Sequence, residues 1–360
     1  MRKEIVVTGI GMVTPLGLNV KETWRSLSNG ANGVARIQRF DPTGFPVRFA
    51  AEVPSFDVEP FEKLSPLSQT ILNSLKGKLT YKAVKEALHM SGLDTASERV
   101  GVAVGSEASR PHLEELAAQI DQQRIPSAET LRAMSPQAPV DLIREITGLK
   151  GPSSVISTAC TSSSQAVGEG LLRIRRGEVD AMIVGGVDVL VDPIMVTGFS
   201  LLGALSTRNE EPSLASRPFD VERDGFVLGE GAGFLILEER DFAVRRNAAI
   251  LGKISGYGCS CNAYRITDSP PDGRGAAQSM EAALRDAQLV PEAIGYINAH
   301  GTSTKMNDTS ETRGIYRAFG NAAQAVSVSS TKSMMGHLVA ACGAVEAIVA
   351  LQTVRTSVLP

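Results

Sequence analysis

The chain of 360 residues is long enough to bury a large core, and its composition (43% hydrophobic, 21% charged) is that of a folded globular protein. The net charge of -3 argues against broad nucleic-acid binding, and four cysteines in a chain of this length do not suggest a disulfide framework. The N-terminal apolar stretch is broken by Gly9, Gly11 and Pro15, which argues against a signal peptide, and no run of 18 uncharged apolar residues predicts a membrane-spanning helix. We therefore expect a soluble cytoplasmic protein with neither a membrane nor a nucleic-acid partner.

Short apolar segments alternate along the chain with longer segments of helical periodicity. Strands rich in Val and Ile, with helices between them, favour an α/β fold with layered, mixed sheets. We predict strands at residues 5–9, 100–104, 154–158, 181–184, 233–237, 251–257, 294–299 and 325–330. We predict helices at residues 21–29, 79–90, 111–122, 139–147, 162–176, 276–287, 308–319 and 339–355. The proline-rich stretch 41–67 has few periodic signals and is predicted to be a surface loop.

The chain contains one internal similarity. Residues 155–160 form a predicted strand and a Ser-Thr turn before a helix rich in small residues, and residues 328–333 repeat that order before the small residues of 340–344. The similarity favours two related halves, and chance similarity over so short a window is the alternative.

Cys160 is the candidate nucleophile, because it follows a predicted strand and opens a predicted helix. The positive end of a helix lowers the pKa of a nearby thiol, and its first backbone N–H groups can bind an oxyanion. The alternative is a buried, unreactive cysteine, which is the commoner kind. Cys259 and Cys261 have no histidine nearby and are weak candidates for zinc ligands, and we interpret Cys342 as a packing residue.

His300 and His337 each follow a strand-like run at a glycine-containing turn, so we expect both near the sheet edge that carries Cys160. A thiol with two neutral imidazoles can form a thioester and stabilise an enolate. The three residues therefore predict carbon–carbon bond formation on acyl thioesters. His89 and His112 lie in exposed-looking helical segments, and we assign them no role.

Lys332 is the candidate that would keep His337 neutral, since a nearby like charge disfavours the imidazolium, or it is an ordinary salt-bridge partner. Glu346 lies on an otherwise apolar predicted helix, so it is either the partner of a buried charge or at a solvent edge. The polar residues around these positions are Asn298, Asp308, Glu311 and Glu346.

Several motifs occur together in the order and at the spacing of one known family, at residues 6–11, 157–160, 204–207, 217–220, 223–227, 229–231, 298–302 and 332–337. By these motifs the chain resembles, over almost its whole length, the β-ketoacyl-acyl-carrier-protein synthases of the thiolase fold. It is closest to the type I/II elongating condensing enzymes. The resemblance implies an α/β, thiolase-like fold of two related βαβαβ-type halves, residues 1–250 and 251–360, layered α/β/α/β/α.

The resemblance implies an acyltransferase whose catalytic residues are Cys160, His300 and His337. Cys160 would take an acyl group from the phosphopantetheine of an acyl carrier protein, and the two histidines would assist decarboxylation of malonyl-acyl carrier protein. The carbanion would then attack the acyl-Cys and give a 3-oxoacyl product in fatty-acid or polyketide biosynthesis. No metal and no cofactor of the enzyme's own are implied. The family forms homodimers, and a heterodimer with a related subunit is the alternative.

The resemblance also implies supporting residues, acyl-pocket residues and residues that bind the substrate arm. The supporting residues are Lys332, Glu346, Asn298, Asp308 and Glu311, the acyl-pocket and gate residues are Phe199, Glu107 and Ala108, and the arm-binding residues are Thr302 and Thr304.

The chain departs from the family pattern in three places. It ends at Pro360, where the family continues into a glycine-rich segment with an oxyanion-hole donor, so we expect a truncated C-terminal part or an impaired, non-catalytic partner subunit. Glu107 replaces a glycine-rich turn and would be costly beside an alkyl chain unless it points to solvent. Residues 64–69 and Gly203 lack the basic groups that attract a carrier protein. The last two departures favour a specialised polyketide or polyene pathway.

A dinucleotide-binding enzyme is the alternative from a different class. Gly9 and Gly11 follow a predicted strand, but Thr14 stands where the third glycine of the fingerprint belongs, so the fingerprint fails. A purely structural module would leave Cys160 and the two histidines unexplained.

Overall fold

A computed structural model describes residues 2–61, 63–111, 113–265 and 267–360. The strands in these ranges are β1 (Ile5–Val13), β2 (Ala35–Arg36), β3 (Phe49–Ala50), β4 (Val100–Ser106), β5 (Ser153–Ile156), β6 (Ala181–Asp188), β7 (Gly231–Glu239), β8 (Gly252–Ile254), β9 (Tyr296–Asn298) and β10 (Ser327–Ser329). The helices are α1 (Val20–Ser28), α2 (Pro66–Asn73), α3 (Leu75–Ser91), α4 (Leu113–Asp121), α5 (Ala128–Met134), α6 (Ala138–Thr147), α7 (Ser162–Arg175), α8 (Pro193–Leu201), α9 (Arg240–Arg245), α10 (Arg274–Ala287), α11 (Lys305–Phe319), α12 (Lys332–Met335) and α13 (Cys342–Thr356).

A mixed sheet of six strands forms the centre of the first half, in the order β5-β4-β6-β7-β1-β8. Strands β5, β4 and β6 are parallel, whereas β7, β1 and β8 join by antiparallel pairing. Their residues are apolar on both sides because helices cover both faces of the sheet. The carboxyl ends of β4, β5 and β6 therefore meet at one edge, where the segments that follow them come together.

The alternation of side chains along β7 shows the two cores on either side of the sheet. Phe234 and Ile236 pack in one core with residues of α3 and α6. Leu235 and Leu237 pack in the other with residues of α7 and α13. The sheet is thus enclosed between an outer layer of helices and the central pair α7 and α13.

Beyond the central pair lies a second β layer. Strands β9 and β10 pair in parallel, and α13 contacts β9. The segment after β8 continues this layer, since Gly168 of α7 lies against the ring of Tyr257 and Gly256 lies against the backbone of α10. Helices α10 and α11 pack together on the outside. The order of layers is α/β/α/β/α, which confirms the predicted thiolase-like architecture.

The central helices approach each other closely at Gly343. A Cβ atom at that position would lie 1.9 Å from the Oγ atom of Ser164 on α7, so a larger residue has no room there. Small residues on both helices therefore permit this approach, which brings the start of α7 next to the start of α13.

The internal similarity has a structural counterpart, displaced from the predicted one. The segment after β10 forms only the short helix α12, and the helix that resembles α7 is α13. Each begins with a 3-10 turn, Ala159–Thr161 or Val339–Ala341, and each turn opens on a residue in the left-handed region, with φ 51° at Ala159 and φ 41° at Val339.

Most predicted elements are present with shifted ends, but two expectations were wrong. The stretch 41–67 is not simply a surface loop, because Val47, Phe49 and Val53 are buried and β3 pairs with β2. The strand predicted at 251–257 is regular only over β8. Helices α2, α5, α8, α9 and α12 were not predicted. Of the predicted helix 111–122, residues 113–121 are helical, and His112 lies outside the described residues.

One segment in the described part of the chain, Val339–Thr356, is long and apolar enough to cross a membrane, although none was predicted. More than half of it, 56%, is buried inside the protein, and it packs on α7 and β7. Its apolar character is therefore that of a core helix.

Candidate active site

The turn between β5 and α7 holds Cys160. Cys160 occupies the 3-10 turn that precedes α7, directly after Ala159 with its left-handed backbone. Its side chain packs against a buried apolar cluster that includes Phe226. This desolvation raises the pKa of the thiol above its ordinary value, and Lys332 opposes the rise. The helix end alone had predicted a lowered pKa, so burial outweighs it here.

His337 faces the thiol from the second half. Its Nε2 atom lies 3.1 Å from Sγ of Cys160. The backbone of His337 is fixed because its N–H donates to the carbonyl of Val227 and its carbonyl accepts from the N–H of Gly229. Gly336 supplies the left-handed residue (φ 71°) that turns the chain from α12 towards the thiol.

The proton of His337 is placed by its other ring nitrogen. The Nδ1 atom accepts the backbone N–H of Val339 at 3.1 Å, so in the neutral ring the proton sits on Nε2. Burial, followed by the charge of Lys332 and the neighbouring ring of His300, holds the pKa of His337 well below its ordinary value. The ring is therefore neutral and presents an N–H donor at the position of Cys160.

His300 completes the group. It follows β9, and its backbone N–H and that of Gly301 both donate at 2.7 Å to the carboxylate of Glu311 on α11. Its ring meets that of His337 edge to face, with centroids 5.4 Å apart. Burial and then the charge of Lys332 lower the pKa of His300 to about 3.

The sulfur of Cys160 and a nitrogen of each histidine lie within 4.8 Å of one another. These three residues, expected in one place from the sequence, come together in the structure. A Cys-His-His set could also ligate a transition metal, and it is the one such set in the described ranges. A metal there would occupy all three reactive atoms and leave none for acyl transfer.

Lys332 and Glu346 form a buried ion pair beside the two imidazoles. The side chain of Lys332 is 1% exposed and contacts the carboxylate of Glu346, which is 17% exposed. Burial alone would lower the pKa of Lys332, but Glu346 raises it above its ordinary value. A permanent positive charge therefore stands next to both histidines and disfavours their protonation. Of the alternatives for Glu346, the structure supports the partnered one.

Three further predicted supporting residues lie around this centre. Asp308, 1% exposed, accepts the backbone N–H groups of Phe219 and Ser303 at 2.8 and 3.2 Å, and so anchors the loop after His300. Glu311 holds the backbone of His300, as described above. The amide of Asn298 donates to Oη of Tyr296, and its Oδ1 has no hydrogen-bond partner within the described ranges.

The predicted pocket residues separate into two groups. Phe199 packs at 5.4 Å on Phe226, whose ring lies 5.2 Å from that of His337. Ala108 is exposed. Thr302 and Thr304 lie on the loop after His300, with their hydroxyls 2.9 Å apart.

Glu107 fits neither alternative offered for it. Its carboxylate points neither to an alkyl pocket nor freely to solvent, but to the nucleophile turn, where it accepts the N–H of Ala159 at 2.9 Å and the hydroxyl of Ser157 at 2.7 Å.

Cys342 is a site residue that was not predicted from the sequence. Its Sγ atom lies 3.1 Å from Nδ1 of His337, so the first residue of α13 contacts the active-site imidazole. The packing interpretation was incomplete, and the spacing of five residues after His337 was the available signal. His89, which was assigned no role, is exposed on α3.

Two family descriptions match almost the entire chain. The β-ketoacyl synthase N-terminal domain matches residues 2–243, and the β-ketoacyl synthase C-terminal domain matches residues 251–360. A 3-oxoacyl-[acyl-carrier-protein] synthase 2 of Vibrio cholerae serotype O1 is 42% identical over 371 residues, which cover 100% of this chain and 88% of that protein.

Solved structures agree with this match. A type II PKS acyl-carrier protein in complex with its ketosynthase bound to the hexaketide gives a TM-score of 0.83 at 30% identity, over 98% of this chain and 86% of that one. A ketosynthase in complex with its chain length factor, from Xenorhabdus doucetiae, gives 0.79 at 30% identity, over 98% and 85%.

The fold and these matches define a condensing enzyme of the acyltransferase class. The chain belongs to the β-ketoacyl synthase family.

Proposed function

We propose that the protein catalyses the decarboxylative Claisen condensation of an acyl group on Cys160 with malonyl-acyl carrier protein, giving 3-oxoacyl-acyl carrier protein. The observation that carries this proposal is the convergence of Sγ of Cys160 with nitrogens of His300 and His337 within 4.8 Å. Both imidazoles are neutral, and this supports the proposal. A neutral imidazole carries one ring N–H, which can donate a hydrogen bond to an enolate oxygen.

In the first half-reaction, the sulfur of Cys160 attacks the thioester carbonyl of an acyl-carrier protein. The carbonyl oxygen becomes an oxyanion, and the N–H groups at the start of α7 are placed to receive it. Collapse of the intermediate forms the acyl-Cys thioester and releases the carrier thiol, which takes up the proton that Cys160 loses.

In the second half-reaction, the carboxylate of the malonyl group leaves as carbon dioxide, and its bonding electron pair forms an enolate on the thioester oxygen. The Nε2–H of His337 and a ring N–H of His300 stabilise that oxygen. The α-carbon then attacks the acyl-Cys carbonyl, and the sulfur of Cys160 departs as a thiolate and takes a proton from solvent. Lys332 and Glu346 act through the histidines, since the buried charge keeps them neutral.

The remaining predicted residues take supporting roles in this scheme. Asp308 and Glu311 hold the loop that carries His300, Asn298 supports that loop from the end of β9, and Phe199 gates the acyl pocket against Phe226. The hydroxyls of Thr302 and Thr304 bind the phosphopantetheine arm, which arrives on the carrier protein, so that the enzyme needs neither a metal nor a cofactor of its own.

We infer a dimer in which the edge strand β5 pairs with its equivalent in a second subunit. β5 bonds to β4 on one side and forms the edge of the sheet, and an unpaired edge is a template for strand addition. A homodimer is the proposed assembly. A heterodimer is the second candidate, because the relative from Xenorhabdus doucetiae is a complex with a chain length factor.

We also propose a division into halves at residues 1–250 and 251–360, in which the first half supplies Cys160 and the second supplies both histidines. We propose a cytoplasmic location and either fatty-acid or polyketide biosynthesis. Catalysis is favoured over a non-catalytic partner subunit, because the nucleophile and both donors are present together.

The test is to incubate the protein with acyl-carrier-protein thioesters of short, medium and long saturated chains and to locate any added mass by peptide mass spectrometry. An acyl adduct on Cys160 that is absent from Cys160→Ala, and release of carbon dioxide from malonyl-acyl carrier protein, are expected. A folded protein that gives no adduct with any chain length would favour the non-catalytic subunit.

A further inference from the structure

The carboxylate of Glu107 is bound to the turn that carries the nucleophile. β4 and β5 are parallel, and their register pairs Gly105 with Ile156, so the residues after each strand emerge side by side. Glu107 comes directly after β4 and lies next to residues 157–162, which follow β5. The position of Glu107, two residues beyond the last β4–β5 pair, therefore follows from the register of the two strands.

The contacts of Glu107 fall on the residues that flank Cys160. Oε1 accepts the backbone N–H of Ala159 at 2.9 Å, and Oε2 accepts the hydroxyl of Ser157 at 2.7 Å. The hydroxyl of Ser162 lies 3.3 Å from Oε1, but its hydrogen has a nearer acceptor in the carbonyl of Ala159, at 2.7 Å. Two firm donors therefore converge on one carboxylate, on the N-terminal side of the thiol.

The held residue is a strained one. Ala159 has φ 51°, which is unfavourable for a residue with a Cβ atom, and a surrounding contact must maintain it. The hydrogen bond from its N–H to Oε1 of Glu107, at 2.9 Å, is such a contact, because it fixes the orientation of the peptide group before Ala159. Since Cys160 is the next residue, the backbone of Ala159 determines where its Sγ points.

Glu107 is itself held from the opposite side. Its backbone carbonyl accepts Nζ of Lys76 at 2.6 Å, and Lys76 is 5% exposed and lies 3.6 Å from the buried carboxylate of Asp188. Asp188 in turn accepts the N–H of Ala340, close to His337. The anchor of Glu107 thus extends to the segment that carries the imidazole.

We propose that Glu107 is a positioning residue for the acylation of Cys160. Its carboxylate holds Ala159 so that Sγ of Cys160 faces His337. The proposal rests on the proposed function of Cys160 as the nucleophile. It predicts a requirement for the reach of the side chain and for an acceptor oxygen, rather than for negative charge.

Three substitutions separate these requirements. Glu107→Gln keeps the length and an acceptor oxygen for Ala159, and its amide can donate to Ser157. Glu107→Asp keeps the charge but is one methylene too short to reach both donors. Glu107→Ala removes the contact. The matched control is Glu98→Gln, because Glu98 is an exposed carboxylate before the same strand β4.

The experiment measures the two half-reactions apart, namely acyl transfer from an acyl-carrier-protein thioester to Cys160 and release of carbon dioxide from malonyl-acyl carrier protein. Glu107→Ala and Glu107→Asp should slow acyl transfer about ten- to a hundredfold, the effect of a displaced reacting group, with KM for the acyl carrier and decarboxylation near wild-type values. Glu107→Gln should recover most of the rate, and Glu98→Gln should match the wild type.

Acyl transfer at the wild-type rate in Glu107→Ala would overturn the proposal. It would also be overturned if Glu107→Gln and Glu107→Asp lost acyl transfer and decarboxylation to the same extent. If Glu107→Ala does not fold, the order of Gln above Asp decides the matter. A wild-type protein that never acylates Cys160 would refute the function itself, and this outcome is distinct from an acylated wild type with unaffected variants.

Discussion

The Sγ atom of Cys342 lies 3.1 Å from Nδ1 of His337, on the side of the ring opposite Cys160. Burial raises the pKa of the Cys342 thiol well above its ordinary value, so the thiol keeps its proton. Because Nδ1 already accepts the N–H of Val339, an S–H donor on the same atom adds to the preference for a proton on Nε2. The imidazole is thereby held between two thiols in the tautomer that donates towards the substrate.

Replacing Cys342 with Ala should weaken this preference without abolishing it, because the N–H of Val339 remains. We expect malonyl decarboxylation to fall about two- to tenfold, the usual effect of one lost hydrogen bond, with little change in KM. Cys342→Ser, which restores a donor, should recover the rate. Nitrogen-15 chemical shifts of the His337 ring report the tautomer directly. An unchanged ring spectrum in Cys342→Ala would show that the thiol only fills space.

The position of Cys342 illustrates which parts of the site a sequence can predict. The rule that ligand-binding residues follow the carboxyl ends of strands predicted the convergence of Cys160, His300 and His337. In the structure β5 and β9 belong to different sheets, and α12 lies between β10 and His337, so the expected common sheet edge was wrong. The role of Cys342 depends on the turn at Val339, which has a left-handed backbone (φ 41°). No local sequence pattern predicts this conformation. The contact of Cys342 with the imidazole is therefore a product of local geometry that periodicity does not encode.

The predictions for Glu107 and for the stretch 41–67 were wrong for a different reason. The environment of Glu107 depends on the register between β4 and β5, which are about fifty residues apart, and not on its own neighbours. The prolines of 41–67 suggested exposure, but Phe49 is buried in an apolar cluster, and the N–H of Ala51 donates to the carbonyl of Leu228. Tertiary pairing thus overrode the local signal in both cases.

Breaking the ion pair of Lys332 and Glu346 should change both the free energy of unfolding and the pKa values of the two histidines. Lys332→Met leaves the buried carboxylate of Glu346 unpaired, and we expect a loss of about 3–5 kcal/mol in the free energy of unfolding. Removing the positive charge should also let the pKa values of His300 and His337 rise, since Lys332 lowers both. Histidine ring titrations by NMR and denaturant unfolding measure the two effects.

A surface pair provides the control for this variant. Arg99 and Asp180 form an ion pair with side chains 49% and 25% exposed, so Arg99→Met should cost only about 0–1 kcal/mol. The double variant Lys332→Met/Glu346→Leu should regain much of the lost stability, because it leaves no buried charge, yet it should remain impaired in decarboxylation. Full activity in that double variant would contradict the role of the charge.

The histidines should make the fold sensitive to acid. Their folded pKa values lie below the ordinary value of about 6.5, at about 3 for His300. The unfolded chain therefore binds protons that the folded chain excludes. The free energy of unfolding is then highest above pH ~6.5 and falls as pH drops towards about 3, by up to about 1.4 kcal/mol per pH unit for each histidine.

Denaturant unfolding at a series of pH values checks this slope. His300→Asn and His337→Asn should each show a shallower decline than the wild type, even if their stability at neutral pH is lower. His89→Asn is the matched control, because His89 is exposed on α3, and its slope should equal that of the wild type. Parallel slopes for all four proteins would mean that the imidazoles are not kept neutral by the fold.

The contact between α7 and α13 should tolerate no larger residue at Gly343. A Cβ atom at Gly343 would lie 1.9 Å from Oγ and 2.6 Å from the backbone nitrogen of Ser164, and the backbone cannot yield without separating the helices. We expect Gly343→Ala to cost about 1–3 kcal/mol, the usual penalty of overpacking. Because α7 begins next to Cys160 and α13 begins at Cys342, acyl transfer and decarboxylation should both decline.

Gly198 is the appropriate comparison for that variant. It lies within α8, and a Cβ atom there would meet nothing within 4 Å, so Gly198→Ala should leave stability unchanged or raise it by up to about 1 kcal/mol through helix propensity. Thermal unfolding and the two half-reaction assays would be run on both variants. A Gly343→Ala protein as stable and as active as the Gly198→Ala protein would show that the central helices can separate without disturbing the thiol and the imidazoles, and the close approach would then have no part in positioning the site.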